Sequence, residues 1–373
     1  MTNAKLFTPL TLGGKKGGVQ LLHRVVMAPL TRCRAGDPGT PPPISATYYG
    51  QRATNGGLII AEATNISATA RGNYGAPGIF TKDQIEAWKP VTQAIHDKGG
   101  KTFLQLWHTG RMGHKDNQPG GILPVSSTSK RPLDLESKKI QTINGRVPIS
   151  EYRALETDEI PGICLDYQTA SLNALEAGFD GVELHAANGY LIEQFLVDGI
   201  NDRTDKYGGS IENRARFLFE ALDAIVAKVD SSKVGIRLSP FGLYLGQADS
   251  DPVALFNYVF TKLNDYDLAY VHVIEPRGYH AQNPVAPSHG AVGQFRSVYN
   301  GVYLTASGYD RDSAINVVEN GDADLVAIGR RFISNPDLVE RFKKNAPLND
   351  WDMNTFYVGE DKGYIDYPFL DQQ

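Results

Sequence analysis

The stretch Arg24-Val25-Val26-Met27-Ala28-Pro29-Leu30-Thr31 begins as an apolar run, turns at a proline and contains no glycine. Its first four residues have the Val-rich composition that is typical of a buried parallel strand. A doubly wound nucleotide-binding sheet normally places a glycine-rich turn directly after its first strand. Because no glycine follows this strand, the stretch favours the other common α/β architecture, a closed barrel of parallel strands.

Seven further apolar runs follow the first along the chain. Several of them are apolar on both faces, and most are separated by a segment with helical periodicity. They occupy residues 58–61, 102–106, 181–184, 234–238, 270–273, 302–305 and 325–328. Eight alternating strand and helix units in a chain of 373 residues predict an α/β fold, specifically a (β/α)8 TIM barrel.

Local signals predict where some of the intervening helices begin. Thr81 and Gln84 have the spacing of a capping box, and Pro90 is expected to kink or split the helix that follows. Late in the chain, Asn335 followed by Pro336 predicts an N-cap with proline at the first helical position.

Three segments lie outside the eight units. Residues 1–23 place the glycine-rich run 13–18 between two alternating segments, which predicts a hairpin that plugs the amino-terminal end of the barrel. Residues 109–150 follow strand three and are polar, so they are predicted to form an insertion that caps the carboxyl-terminal face. Residues 346–373 form an aromatic-rich tail. We therefore predict a single domain over residues 1–373.

The composition excludes several classes of protein. The chain has 37 Lys and Arg against 42 Asp and Glu, so its net charge of −5 gives no broad basic surface for nucleic acid. Its apolar runs are far shorter than the roughly 20 residues that cross a membrane, and no secretion signal opens the chain. Two cysteines, Cys33 and Cys164, cannot build a disulfide framework, and the histidines form no metal-binding motif. We expect a cytoplasmic monomer or homodimer without a metal, a membrane or a nucleic-acid partner.

Polar side chains recur where the predicted strands end, which is the functional face of a barrel. In chain order they are Thr31, Glu62, Gln105, His185, Arg237 and His272. The densest group follows strand four, where a helical turn would bring His185 and Asn188 to one side. Two such donors can polarise a carbonyl group, and the phenol of Tyr190 could supply a proton. The same spacing also fits a plain helix start with an ordinary loop tyrosine.

The segment after strand eight predicts a phosphate site. Barrels commonly bind phosphate between loops seven and eight, at the start of a short extra helix whose N–H groups and dipole favour an anion. Ser307 and Gly308 end strand seven and are small, and Gly329 and Arg330 follow strand eight. The arginine could add a charge-assisted hydrogen bond. A helix-capping glycine beside solvated arginines is the alternative interpretation.

Several motifs in this order resemble the old yellow enzyme family of FMN-dependent ene-reductases, which includes the plant oxophytodienoate reductases. The resemblance runs nearly from end to end, and its most specific part is Arg-Thr-Asp-Lys-Tyr-Gly-Gly-Ser-Ile-Glu-Asn-Arg at 203–214. The other matching segments are 24–32, 105–107, 185–190, 237–240, 329–338 and 363–368. The resemblance implies a TIM barrel with non-covalently bound FMN at its carboxyl-terminal mouth.

The resemblance also implies roles for individual residues. The residues expected to contact FMN are Pro29, Leu30, Thr31, Ala63, Gln105, Arg237, Ser307, Gly308, Gly329 and Arg330. Of these, Arg237 would lie beside N1 and O2 of the ring, where reduction places negative charge. The residues expected to bind the substrate are His185, Asn188, Tyr74, Trp107 and Tyr357, with the segment around Pro276 shaping the pocket.

The implied reaction is the NADPH-dependent reduction of the C=C bond of an α,β-unsaturated carbonyl compound. His185 and Asn188 would bind the carbonyl oxygen, hydride would pass from flavin N5 to Cβ, and Tyr190 would protonate Cα. NADPH would use the same pocket first and then leave, which gives ping-pong kinetics.

Three positions depart from the family or separate its subgroups. Asn188 is the residue of the yeast enzymes, whereas the oxophytodienoate reductases have histidine there. Thr31 stands where a bacterial subgroup has cysteine, and Ser307 stands where glycine is usual. Two other functions remain open: a barrel lyase or isomerase acting on a phosphorylated metabolite, and a non-catalytic flavin-binding protein.

Overall fold

Eight parallel strands close into a barrel in the order in which they occur along the chain. The computed structural model describes residues 4–13, 17–130, 135, 137–243, 248–277 and 283–372. The barrel strands are β3 (Val25–Met27), β4 (Leu58–Asn65), β5 (Lys101–Trp107), β10 (Gly181–Ala186), β11 (Val234–Leu238), β12 (Tyr270–Ile274), β13 (Tyr303–Ala306) and β14 (Leu325–Ile328). Each coincides with one of the eight predicted apolar runs, so the predicted (β/α)8 barrel is confirmed.

Ten helices accompany the strands in the described part of the chain. They are α1 (Ile44–Arg52), α2 (Lys82–His96), α3 (Ile160–Glu176), α4 (Leu191–Leu196), α5 (Ile211–Val226), α6 (Pro252–Leu263), α7 (Gly290–Phe295), α8 (Arg311–Glu319), α9 (Arg330–Ser334) and α10 (Leu338–Lys344). The predicted capping box of Thr81 and Gln84 opens α2.

Two local helix predictions differ from the structure. Helix α2 continues through Pro90, so the predicted split is wrong, and a kink there stays a prediction. Pro90 lies on the exposed face of α2, where the carbonyl group that loses its helical partner can bind water. Asn335 does not cap the following helix. It follows the end of α9, where its side-chain amide donates to the Arg331 carbonyl at 2.9 Å, and α10 begins only at Leu338.

The interior of the barrel is filled from its amino-terminal end. The short antiparallel strands β1 (Leu10–Thr11) and β2 (Gln20–Leu21) form a pair outside the barrel. Leu12 and Leu21 pack in one apolar cluster with Phe103 and Tyr270, which belong to barrel strands. Of the predicted hairpin turn, residues 14–16 lie outside the described residues. Because this apolar cluster fills the amino-terminal end, the functional site is expected at the carboxyl-terminal mouth.

The insertion after β5 contains two small sheets. Strands β6 (Val125–Ser126) and β9 (Arg153–Ala154) pair in parallel, and β7 (Lys139–Thr142) and β8 (Gly145–Pro148) form an antiparallel hairpin. Residues 131–134 and 136 of the insertion lie outside the described residues. Its apolar side chains, including Ile140, pack against Tyr190, so the insertion reaches the mouth of the barrel.

Stacked rings and guanidinium groups fasten the carboxyl-terminal tail. The Tyr364 ring stacks on that of Tyr48 with centroids 4.1 Å apart, and the Arg52 guanidinium lies 3.9 Å from the Tyr48 centroid. Arg52 also donates to the Tyr364 carbonyl at 3.1 Å. Arg32 lies in the loop that leaves β3, and its guanidinium donates to the carbonyl of Phe356 at 3.0 Å. The tail is therefore tied to the loop that leaves β3.

Replacing Gly235 by alanine is expected to destabilise the barrel. A Cβ atom at this position would lie 2.5 Å from the ring of Tyr270, which is fully buried and has no space to move. We expect a loss of about 1–3 kcal/mol in the free energy of unfolding, measured by urea denaturation. Gly162→Ala in α3 is the control, since no atom lies within 4 Å of its added Cβ. Equal stability of the two variants would contradict the packing described for β11 and β12.

Candidate active site

The mouth of the barrel is lined by side chains from neighbouring strands in direct register. His185 of β10 lies opposite Arg237 of β11, which lies opposite His272 of β12. Glu183, two residues before His185, lies opposite Gln105 of β5. Because side chains alternate along a strand, these five residues point to the same side, the interior of the barrel.

Glu183 is the centre of a buried hydrogen-bond network. Its Oε1 accepts from Gln105 Nε2 at 2.7 Å, and its Oε2 lies 2.8 Å from His272 Nδ1. Burial alone raises the pKa of this carboxyl group, but His272, Arg237 and Gln105 together outweigh burial and lower it. Burial also lowers the pKa of His272, so a neutral imidazole donates to an ionised carboxylate.

His185 is a neutral imidazole whose Nδ1 accepts a hydrogen bond from the loop that follows it. The backbone N–H of Ala187 donates to His185 Nδ1 at 3.3 Å, so the ring proton resides on Nε2. Burial lowers the pKa of His185 well below its usual value, and the charge of Arg237 acts in the same direction. The side chain is therefore a hydrogen-bond donor through Nε2 at neutral pH.

Residues 187–190 form a tight turn and not the predicted turn of helix. Asn188 has a φ of 59° and Gly189 a φ of 76°, so both are in the left-handed region, and α4 begins only at Leu191. The Tyr190 ring meets the rings of Trp107 and His185 edge-on, with centroids 4.8 Å and 5.1 Å away. The turn still brings His185, Tyr190 and Trp107 together, by tertiary packing and without helical spacing.

The residues expected beside the flavin ring lie around this group. Pro29, Leu30 and Thr31 leave the end of β3, Ala63 lies in β4, and Ala63 packs in one cluster with Trp107 and Tyr190. Arg237 Nε is buried and has no hydrogen-bond partner among the described residues. A buried, unpartnered guanidinium nitrogen suits the polar edge of a flavin ring, so these residues fit FMN.

The expected phosphate residues lie at the ends of β13 and β14. Ser307 and Gly308 have φ values of 87° and 72°, and the left-handed backbone at Ser307 is a conformation that favours glycine. Helix α9 starts directly after Gly329, and no side chain caps its first turn. Leu30 lies beside Gly329, within 3.3 Å of where a Cβ would be. The arrangement brings an uncapped helix start next to Leu30, in the segment expected to line the flavin.

Some expected site residues lie at the edge of this arrangement. Arg330 is exposed, and its guanidinium lies 5.3 Å from the ring centroid of Trp351. Tyr74 is half-buried, and its backbone N–H donates to the Gln141 carbonyl of the insertion at 2.8 Å. Tyr357 is 60 % exposed in the tail. Of the segment after Pro276, residues 278–282 lie outside the described residues.

The sequence reasoning missed two buried carboxylates near the mouth. Glu183 was counted within an apolar strand, although its alternation with His185 is the signal that places both side chains on the interior face. Glu193 lies in the first turn of α4 and accepts from the Gly189 N–H at 2.6 Å. No local pattern marks Glu193, because its partners are set by the tertiary fold.

The described residues contain neither a metal-ion cluster nor a membrane-spanning helix. Within them, no group of three or more His, Cys, Asp and Glu side chains is placed to hold a metal ion. No helix that the structure describes is long and apolar enough to cross a bilayer.

Comparison with known proteins gives one consistent result. Residues 5–349 match the model of the NADH:flavin oxidoreductase / NADH oxidase family. The chain is 51 % identical over 366 residues to 12-oxophytodienoate reductase 1 of Oryza sativa subsp. japonica, covering 98 % of this chain and 94 % of the relative.

Solved structures agree with that match. Morphinone reductase in complex with tetrahydroNAD superposes with a TM-score of 0.91 at 46 % identity, covering 99 % of this chain and 98 % of that one. The old yellow enzyme homologue from Zymomonas mobilis superposes with a TM-score of 0.91 at 40 % identity, covering 98 % of this chain and 100 % of that one.

The tautomer of His185 can be measured directly. We expect the ¹⁵N spectrum of histidine-labelled protein to contain a neutral, Nε2-protonated ring that persists unchanged as the pH falls from 8 to 5.5, because the pKa is lowered well below its usual value. The signal is assigned by its loss in the His185→Gln variant. A His185 signal that titrates near pH 6.5, the usual value, would contradict the geometry.

Proposed function

The chain belongs to the NADH:flavin oxidoreductase / NADH oxidase family and is an FMN-dependent oxidoreductase of the old yellow enzyme type, and from this premise we propose that it reduces the C=C bond of α,β-unsaturated carbonyl compounds with NADPH. The observation that carries the proposal is the neutral His185 imidazole, a hydrogen-bond donor through Nε2, packed edge-on against the Tyr190 ring. FMN held at this mouth would supply the hydride for Cβ of the substrate.

We assign the binding of the carbonyl oxygen to His185 and Asn188. His185 Nε2 carries a proton, and its neutral state means that it donates without adding a full charge. Asn188 would donate through its side-chain NH₂ group, while its side-chain oxygen, the acceptor end, is buried without a hydrogen-bond partner among the described residues. Two donors on one oxygen withdraw electrons from Cβ, and losing one such donor typically costs about 3–4 kcal/mol of activation free energy.

We assign the protonation of Cα to Tyr190. Its ring packs edge-on against both Trp107 and His185, which holds the phenol over the mouth at a fixed angle. The carbon that receives the proton carries developing negative charge and is a strong base, so a phenol is a sufficient acid.

We assign a purely electrostatic role to Arg237. Its charge lies close to Glu183, and its Nε has no protein hydrogen-bond partner among the described residues. The guanidinium is therefore available to the edge of the ring on which reduction places negative charge. Ser307, Gly308, Gly329 and Arg330 remain the proposed phosphate contacts.

The overall reaction is tested by separating its two halves without oxygen. We expect the FMN-loaded protein to lose its visible absorption when NADPH is added and to regain it when 2-cyclohexenone follows. Replacing NADPH by NADH in the first step measures the preference for the nucleotide. Protein that retains no FMN after dialysis, or bleached protein that the enone does not reoxidise, would contradict the proposed function.

The Tyr190→Phe variant separates the proton donor from the rest of the site. We expect reduction of the bound flavin by NADPH to persist and reoxidation by 2-cyclohexenone to slow by about 10²-fold or more, the range that general acid catalysis contributes. Both rates are measured by anaerobic stopped-flow absorption. Tyr258→Phe, which removes a hydroxyl group on α6, is the matched control. Unchanged rates in both halves would show that another group protonates Cα.

A further inference from the structure

A buried carboxylate that the proposed mechanism does not use lies directly behind the turn that carries Asn188. Glu193 is 1 % exposed. Its Oε2 accepts from the Gly189 N–H at 2.6 Å, and its Oε1 accepts from the Ser239 hydroxyl at 2.6 Å. Ser239 Oγ in turn accepts from the Asn188 N–H at 2.8 Å. The carboxylate thus holds two successive backbone N–H groups, one directly and one through Ser239.

This environment is unusual for an acidic side chain. Burial raises the pKa of Glu193 to about 8, and the groups that oppose burial are the hydrogen-bond donors Ser239 and Gly189, not a basic side chain. Burying a carboxyl group without a cation lowers stability. Because the described residues offer Glu193 no pairing with a cation, its two short hydrogen bonds, one from Gly189 of the turn and one from Ser239, are the feature that explains its position.

The turn itself requires external support. Asn188 is a non-glycine residue in the left-handed region, which asparagine enters more readily than most residues and which the surrounding contacts keep in place here. The carbonyl of Gly189 accepts from Gln194 Nε2 at 2.8 Å. Both polar groups of Gly189 are therefore held by neighbouring side chains of α4, Glu193 and Gln194, while the backbone N–H of Asn188 is held by Ser239, the residue that follows β11.

We propose that Glu193 and Ser239 form a relay that positions Asn188 to bind the carbonyl oxygen of the substrate, an inference that rests on the proposed function. The relay touches neither substrate nor cofactor. It fixes the backbone of Asn188, and through the backbone the direction in which the carboxamide leaves the turn. Glu193 and Ser239 are therefore positioning residues.

The chemistry of the carboxylate explains why an amide is a poor replacement. Above its pKa of about 8, Glu193 is a carboxylate with an acceptor oxygen for each of the two donors, the Gly189 N–H and the Ser239 O–H. Glutamine has the same size but one acceptor, so its NH₂ group faces one of these donors. If the NH₂ group faces Ser239, the hydroxyl of Ser239 must turn its hydrogen away. The hydrogen bond from Ser239 to residue 193, which fixes the Ser239 side chain, is then lost. Glu193→Gln therefore weakens the relay without opening a cavity.

A double-mutant cycle on the FMN-loaded protein tests the relay. The four proteins are the wild type, Glu193→Gln, Asn188→Ala and the double variant. The probe is 4-hydroxybenzaldehyde, whose ionised phenol oxygen on a flat ring resembles an enolate oxygen. Its Kd is measured at about pH 9, above the pKa of Glu193 of about 8, from the change in visible absorption of the bound flavin. Values of kcat and KM for 2-cyclohexenone are measured in parallel.

The relay predicts strong coupling between the two positions. We expect Glu193→Gln to raise the Kd about tenfold in the wild-type background, the effect of one lost hydrogen bond, and less than twofold when Asn188 is already alanine. Ser239→Ala is expected to give the same pattern and replaces Glu193→Gln if that variant fails to retain FMN. Glu212→Gln, an exposed acidic residue in the first turn of α5, is the control and leaves the Kd unchanged.

The outcomes distinguish this inference from the proposed function. If Asn188→Ala weakens binding but Glu193→Gln does not, or if the two effects add fully, the relay is wrong and the proposed function stands. If Asn188→Ala itself leaves the Kd and KM unchanged, Asn188 does not bind the oxygen, and the relay is overturned together with that assignment.

Discussion

The charge balance between Glu183 and Arg237 inside the barrel is the constraint on which the rest of the site depends. A guanidinium in the interior is costly unless an opposite charge lies near it. Glu183 is fully buried and is held by Gln105 and His272, so its carboxylate provides that charge while Arg237 Nε keeps no protein partner among the described residues. The positive charge that remains at the mouth also contributes to keeping His185 neutral. These neighbouring charges thus act on both Arg237 and His185, the residues that we propose contact the flavin edge and the substrate carbonyl.

Barrel closure turns this local chemistry into a site. The register of β10, β11 and β12 brings His185, Arg237 and His272 side by side from segments that are distant in sequence. Apolar side chains of β1, β2 and the barrel strands pack in one cluster at the other end. The insertion packs on Tyr190.

The sequence predicts the barrel because its strands are apolar on both faces, a property of local composition. It does not predict the turn after β10, because the left-handed backbone of Asn188 is held by Ser239, which is 51 residues away. The same limit explains why Asn335 was assigned to the wrong helix: its amide is used by the helix before it. The flavin and substrate contacts came from family resemblance and remain predictions. The buried partners Glu183 and Glu193 emerge only from the folded chain.

The most direct test of the account is a crystal structure of the FMN-loaded protein with 4-hydroxybenzaldehyde. The account predicts that the phenol oxygen lies within about 3.2 Å of both His185 Nε2 and the Asn188 amide nitrogen, a hydrogen-bonding distance. It also predicts Arg237 against the polar edge of the flavin ring. An oxygen bound elsewhere, or His185 and Asn188 turned away from the flavin, would contradict it.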